Sequence, residues 1–247
     1  MNDRTRSTWS EEQIDRSYFS KQLETPYEST TAFYSFLSNY VELAESRIVD
    51  AACGNASNLL YLCERYSSPK TRFGFDIMDY LVHEARENVA NRRASSIQIL
   101  KDDLYRPEFS EDVDGVTLIQ TLSWLDDWEA ALNGLAALET QWLALSSLFY
   151  EGRIEATIEI TSYDEALQRL KSSPYNVYST LRVEEHLKGL GFDEIVWQPF
   201  EIQIDLARAN RDEMGTYTRT LDTGGRLQFS GPLHLPWYFL FARKSRA

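Results

Sequence analysis

Acidic residues recur at regular spacing through the first half of the chain. Asp50 closes the segment RIVDA, Asp76 closes RFGFD, and Asp102 and Asp103 follow SIQIL. Gln120 and Thr121 end a fourth segment, GVTLIQT. Asp50, Asp76 and Asp103 stand 26 and 27 residues apart, about one strand–helix unit each. Carboxylates at such strand ends can accept hydrogen bonds from ribose hydroxyls or from an amino group. They can equally cap the helices that follow. Between the first strand and the next helix lies AACGNAS, a tight turn with one glycine, Gly54.

Three other positions have side chains suited to chemistry on a bound substrate. His234 is a candidate general base, because an imidazole titrates near neutrality. Arg226 is a candidate anion contact, since a guanidinium binds phosphate or carboxylate in bidentate fashion. Tyr18 lies in an N-terminal stretch, SYFSKQLETPYESTTAF, that also offers Tyr27, Ser29 and Thr30. No His/Cys/Asp cluster has the spacing of a metal site, so no metal is expected.

The elements that must position these residues follow from periodicity. SEEQIDRSYFSKQL and STTAFYSFLSNYVELAE predict two helices, the second capped by Ser29 or Thr30, with Phe33, Phe36, Leu37 and Tyr40 on one face. Strand and helix then alternate: RIVDA, ASNLLYLCERY, RFGFD, YLVHEARENVANRR, SIQIL, GVTLIQT, WEAALNGLAALET and WLALSSLF. Repeated strand–helix units predict a parallel sheet with helices on both faces, and ligands bind beyond the carboxyl ends of its strands. The end of the chain breaks this rhythm. VEEHLKGLGF predicts a helix closed by Gly191, DEIVWQPFEIQIDL a long strand, GTYTRTLDTGGRLQFSG a β-hairpin turning at DTGG, and PWYFLFARK a final strand. One domain of three parts is expected: an N-terminal helical lid (1–45), a cofactor-binding core (46–200) and C-terminal antiparallel strands with a hairpin (201–247).

Composition narrows the function. The 247 residues carry a formal net charge of −13, which disfavours a nucleic-acid backbone as partner. Residues 207–247 depart from this, with seven basic residues against three acidic ones, and suggest a local site for a small anionic substrate. The longest clean apolar run, LPWYFLFA, is too short to span a bilayer. The N-terminus lacks the apolar core of a signal peptide. Cys53 and Cys63 are poorly placed to join distant segments. A soluble protein of the reducing cytoplasm is expected.

With these residues in place, the chain over about 45–200 resembles the class I S-adenosylmethionine-dependent methyltransferases. That family shows an acidic residue after the first strand and then a Gly-x-Gly-x-Gly turn. The matching residues here are Asp50, Ala52, Cys53, Gly54, Asn55 and Ala56, with alanine at both outer glycine positions. The resemblance implies a Rossmann-like α/β fold with a mostly parallel seven-stranded sheet, S-adenosylmethionine as cofactor, and methyl transfer to a small molecule. It also implies roles. Asp76 would hold the ribose hydroxyls, with Ile77 and Met78 beside the adenine. Asp103 would accept from the adenine amino group, with the Leu104 amide nearby. Gln120 would meet the methionyl portion, and Asp50 would help hold its ammonium. The turn works with two alanines if Gly54 is the position that needs unusual backbone geometry or close cofactor approach.

Three substrate-facing stretches are expected: residues 17–33, TLSWLDDW with Trp124 as a wall and Asp126 or Asp127 as a helix cap, and RLQFSGPLHLPWYF. The segment PYNVYSTL is a further one. The acceptor would offer oxygen or nitrogen and carry phosphate or carboxylate. Two alternatives remain open: a methyltransferase fold that has lost catalysis and serves as a scaffold, and a nicotinamide oxidoreductase, whose Gly-x-Gly-x-x-Gly fingerprint AACGNAS does not supply. Aromatics in the final hairpin also fit a homodimer surface.

Overall fold

The computed structural model describes residues 13–208 and 214–245, with side chains from residue 19 onward. Two helices come first, α1 (Gln13–Glu24) and α2 (Glu28–Leu37). The alternating core follows: β1 (Ile48–Ala51), α3 (Ser57–Arg65), β2 (Arg72–Asp76), α4 (Asp79–Asn91), β3 (Ile97–Lys101), β4 (Gly115–Ile119), α5 (Trp128–Ala136) and β5 (Trp142–Tyr150). Then come β6 (Glu159–Tyr163), β7 (Arg169–Pro174), β8 (Tyr178–Ser179), α6 (Thr180–Gly189) and β9 (Glu194–Pro199). The chain closes with β10 (Thr216–Thr220), β11 (Arg226–Ser230), β12 (Leu233–His234) and β13 (Trp237–Arg243).

The main sheet runs β3-β2-β1-β4-β5-β13-β9, with β8 pairing the end of β5. Strands β1 to β5 pair in parallel, and β13 lies antiparallel between β5 and β9. This is the Rossmann-like architecture expected. Strands β1, β2 and β4 are buried at every position. Helices cover both faces, so these strands are continuous apolar runs rather than alternating ones.

Helix α2 is fixed by aromatic packing on the last strand. Phe33 and Phe36 meet Phe239 at 5.5 and 5.7 Å between ring centroids, and Tyr40 stacks on Phe241 at 4.8 Å. Phe33, Phe36 and Phe239 are essentially solvent-free, and truncating such a side chain costs about 3–5 kcal/mol. That packing sets the N-terminus of α2 beside the end of β4, where Gln120 Nε2 donates to Ser29 Oγ at 2.8 Å.

Two expectations are corrected and one hairpin is added. Ser29 and Thr30 do not cap α2; Tyr27 occupies the cap position without a side-chain bond. Thr30 instead donates to Asn58 of α3 at 2.9 Å, so both hydroxyls serve tertiary contacts. The long strand predicted over 193–206 stops at Pro199, where proline removes a ladder donor. Residues 159–174 form a two-stranded hairpin, β6–β7, that no apolar alternation announced, because most of its residues are exposed or half-buried on both faces. The predicted C-terminal hairpin is present as β10–β11 and gains the short strand β12.

Candidate functional site

The turn after β1 has its backbone in the left-handed region at all three positions of the glycine pattern. The φ values are 53° at Ala52, 56° at Gly54 and 68° at Ala56. An L-residue there is strained by about 1–2 kcal/mol. Unusual backbone geometry is therefore not confined to Gly54, and the two alanines carry strain. Gly54 has a second requirement: a Cβ on it would lie 2.6 Å from the ring of Phe19. Helix α1 rests directly on this turn, with Asn55 Nδ2 donating to the Phe19 carbonyl at 3.0 Å and Gln22 Nε2 to Asn58 Oδ1 at 3.0 Å.

Asp76 at the end of β2 ties into the turn. Its carboxylate accepts from the Gly54 amide at 3.0 Å and from the Met78 amide at 2.9 Å. It does so across the loop and not as a cap of α4, whose cap residue is Met78. Burial pushes its carboxyl above the usual range, and the Met78 and Gly54 amides oppose that push. A carboxylate held by two amides keeps lone pairs directed outward, as a diol clamp requires.

Asp50 on β1 is 1% exposed. It lies in register with Thr117 of β4, whose hydroxyl donates to Asp50 Oδ1 at 2.6 Å. Asp50 Oδ2 is buried and has no hydrogen-bond partner, and the Tyr34 hydroxyl nearby is in the same state. Burial is the main force raising the Asp50 carboxyl from 3.8 to about 7; the Thr117 bond opposes it and the charge of Asp76 adds to it. A buried carboxylate oxygen without a donor fits the ammonium of an amino-acid moiety. Thr117 went unassigned in sequence; the one hydroxyl in the buried strand GVTLI was its only signal.

Asp102 and Asp103 continue the same edge. Asp102 donates its amide to the Asp76 carbonyl at 3.1 Å, while its carboxylate accepts from the amides of Asp103, Glu108 and Phe109. Asp103 accepts from the Tyr105 amide at 3.0 Å. Asp102 therefore fastens the loop, and Asp103 and Leu104 stand next along it. Gly134 of α5 makes room for this loop, because a Cβ there would sit 2.0 Å from the Leu104 carbonyl oxygen. Gln120, also left-handed at φ 56°, follows β4.

The three proposed substrate residues are placed differently. The side chain of Tyr18 lies outside those described. His234 is exposed on β12, its ring tilted against Phe229 at 5.7 Å between centroids. Arg226 donates to Asp205 Oδ1 at 2.8 Å and so already has an anionic partner. None of the described contacts joins His234 or Arg226 to Asp50, Asp76, Asp102 or Asp103. Asp127 caps α5 by accepting from the Ala130 amide at 3.0 Å, as expected. Among the described residues no group of His, Cys, Asp and Glu could hold a metal ion, and no helix is long and apolar enough to cross a membrane.

Residues 48–139 match the family described as "Methyltransferase domain". No curated protein matches the chain by sequence. Solved structures share its fold at low identity. The YcgJ protein of Bacillus subtilis aligns over 88% of this chain and 99% of its own, at 11% identity and TM-score 0.57. A S-adenosylmethionine-dependent methyltransferase from Aquifex aeolicus aligns over 92% and 98%, at 15% and 0.55. Magnesium protoporphyrin IX methyltransferase from Synechocystis, crystallised with S-adenosylhomocysteine, aligns over 96% and 90%, at 15% and 0.54. Residues 48–139 therefore resemble a methyltransferase domain, and the sheet order gives the Rossmann-like fold these structures share.

Proposed function

We propose that the chain moves a methyl group from S-adenosylmethionine to an oxygen or nitrogen of a small molecule, with Asp50, Ala52, Gly54, Asp76, Ile77, Asp103, Leu104 and Gln120 forming the cofactor site. The observation that carries this is the left-handed turn locked to Asp76 through the Gly54 amide. The cofactor supplies a methyl already on a good leaving centre, so the protein must align the acceptor and exclude water. Asp76 binds a diol, Asp50 faces an ammonium, and α1 with Phe19 covers the turn. Small-molecule acceptors fit the net charge of −13 better than nucleic acid does.

The basic final segment suggests a phosphorylated or carboxylated acceptor. Its support weakens in the structure. Arg226 is taken by Asp205, Arg243 bonds Glu194 and the Tyr40 carbonyl, and Arg219 lies over the rings of Tyr217 and Phe229. A second reading, a binding or scaffold protein without catalysis, is favoured by the strain at Ala52 and Ala56.

Calorimetric titration with S-adenosylmethionine and S-adenosylhomocysteine, with NAD as control, tests the proposal. Micromolar binding of the first two and none of NAD is expected. Absence of binding refutes the cofactor site, and binding without methyl transfer to any acceptor favours the scaffold reading.

A further inference from the structure

We infer that Thr117 is a positioning residue of the cofactor site: acting through Asp50, its hydroxyl couples capture of the cofactor's ammonium to release of a proton. This rests on the cofactor reading above and deepens the part played there by Asp50. Thr117 stands in the middle of β4 with no exposed surface, in register with Asp50 of β1. Its neighbours in the strand, Gly115, Val116, Leu118 and Ile119, carry no polar side chain. A hydroxyl has a single proton to donate, and here it goes to Asp50 Oδ1 at 2.6 Å. The other oxygen, Oδ2, is buried and receives nothing. Thr117 thus fixes the carboxyl by one oxygen and leaves the second to a ligand.

The surroundings decide where the proton resides. Two buried carboxyls, Asp50 and Asp76, act on one another here. Asp76 receives the Gly54 and Met78 amides, whereas Asp50 receives one hydroxyl. Of two neighbouring acids the better hydrogen-bonded one keeps its charge, so the proton sits on Asp50. The other groups around it do not alter this. Strand β2 sets only Gly74 opposite Asp50. Burial pushes the Tyr34 phenol of α2 and the Cys53 thiol of the turn upward, so both stay neutral. Arg72, at the start of β2, spends its guanidinium on the carbonyls of Leu43 and Tyr66 and on the sulfur of Cys63. Among the described residues no cation bonds Asp50.

When the cofactor's ammonium arrives, the O–H bond of Asp50 breaks, the proton passes to solvent, and the carboxylate pairs with the ammonium. Charge balances: a neutral acid and a cation become an ion pair and a free proton. Binding therefore weakens as pH falls. The Thr117 bond favours the ionised carboxyl, so it lowers the pH at which binding reaches full strength.

Calorimetric titration of S-adenosylhomocysteine, in phosphate and in imidazole buffers whose heats of ionisation differ, counts the protons released. With the carboxyl raised to about 7, about 0.9 proton is expected at pH 6 and about 0.1 at pH 8, with about 10-fold tighter binding at pH 8. Thr117→Val keeps the branched shape and loses the donor. Its pH profile is expected to move up by about 1 pH unit, the effect of one hydrogen bond to a charged group, and Thr117→Ser to restore it. Asp50→Asn is expected to abolish the release. Wild-type binding without proton release, release that survives in Asp50→Asn, or a Thr117→Val profile that stays in place, weakened or not, overturns this role and leaves the cofactor site standing. Failure of S-adenosylhomocysteine to bind the wild type at any pH overturns the cofactor reading and this role with it.

Discussion

Replacing Asp50 by asparagine should make the cofactor-free protein more stable at neutral pH. The native carboxyl is raised to about 7 by burial, against 3.8 for an ordinary aspartate. Between those two values the folded protein holds a proton that the unfolded chain has released. Stability therefore falls as pH rises through this window, by 1.36 kcal/mol per pH unit. Above pH 7 the accumulated loss is about 4 kcal/mol. Asparagine escapes it. Its carbonyl keeps the Thr117 bond, and its amide lacks a partner at the position of Oδ2, which costs about 1–3 kcal/mol. The net gain is about 2 kcal/mol at pH 8, or about 4–8 °C in Tm for a chain of this size. Below pH 4 the gain vanishes and the variant is the weaker protein. Scanning calorimetry of both proteins from pH 4 to 8.5 reads this directly. A Tm difference that does not change with pH, or a variant less stable at pH 8, would refute the argument. If the cofactor ammonium sits beside Asp50 as proposed, saturation with S-adenosylmethionine should reverse the order.

Other residues give sharper single outcomes. Asp76→Ala removes a clamp of charge-assisted bonds and should weaken S-adenosylhomocysteine binding about 10- to 100-fold, measured by calorimetry, while the circular dichroism spectrum stays native. Ala52→Gly relieves left-handed strain of about 1–2 kcal/mol, partly offset by a looser unfolded chain; a Tm rise of about 2–4 °C is expected, and a fall would show that the Ala52 methyl packs usefully. Gly134→Ala drives a methyl into the Leu104 carbonyl, and should cost about 1–3 kcal/mol of stability together with cofactor affinity; loss of neither would show that the loop yields freely.

The alternating core was legible because each strand is a short apolar run closed by a polar residue. RFGFD coincides with β2 from Arg72 to Asp76, with the aspartate as its last residue. What stayed hidden depends on partners far away in sequence. Backbone strain at Ala52 and Ala56 cannot be read from residue type, because alanine prefers negative φ and yields only to the surrounding fold. Ser29 and Thr30 look like caps until α2 packs on β13 and spends their hydroxyls elsewhere. The hairpin of β6 and β7 buries little, so it leaves no period to detect. Arg226 and His234 had suitable chemistry, but only the fold reveals that Asp205 occupies the first and that the second is exposed.

The position of β13 has a consequence for how the chain is made. The strand that joins β5 to β9, Trp237–Arg243, follows every other described element along the chain. Until it emerges from the ribosome, β9 has no place in the sheet, β5 presents an open apolar edge, and Phe33 and Phe36 of α2 lack the Phe239 they pack against. All the other described elements are therefore synthesised while this seam is still open, a state prone to aggregation. Growth temperature and chaperone supply should govern its soluble yield more than any surface residue does. Truncation before Trp237 would discard the strand that joins β9 to the sheet rather than a dispensable tail.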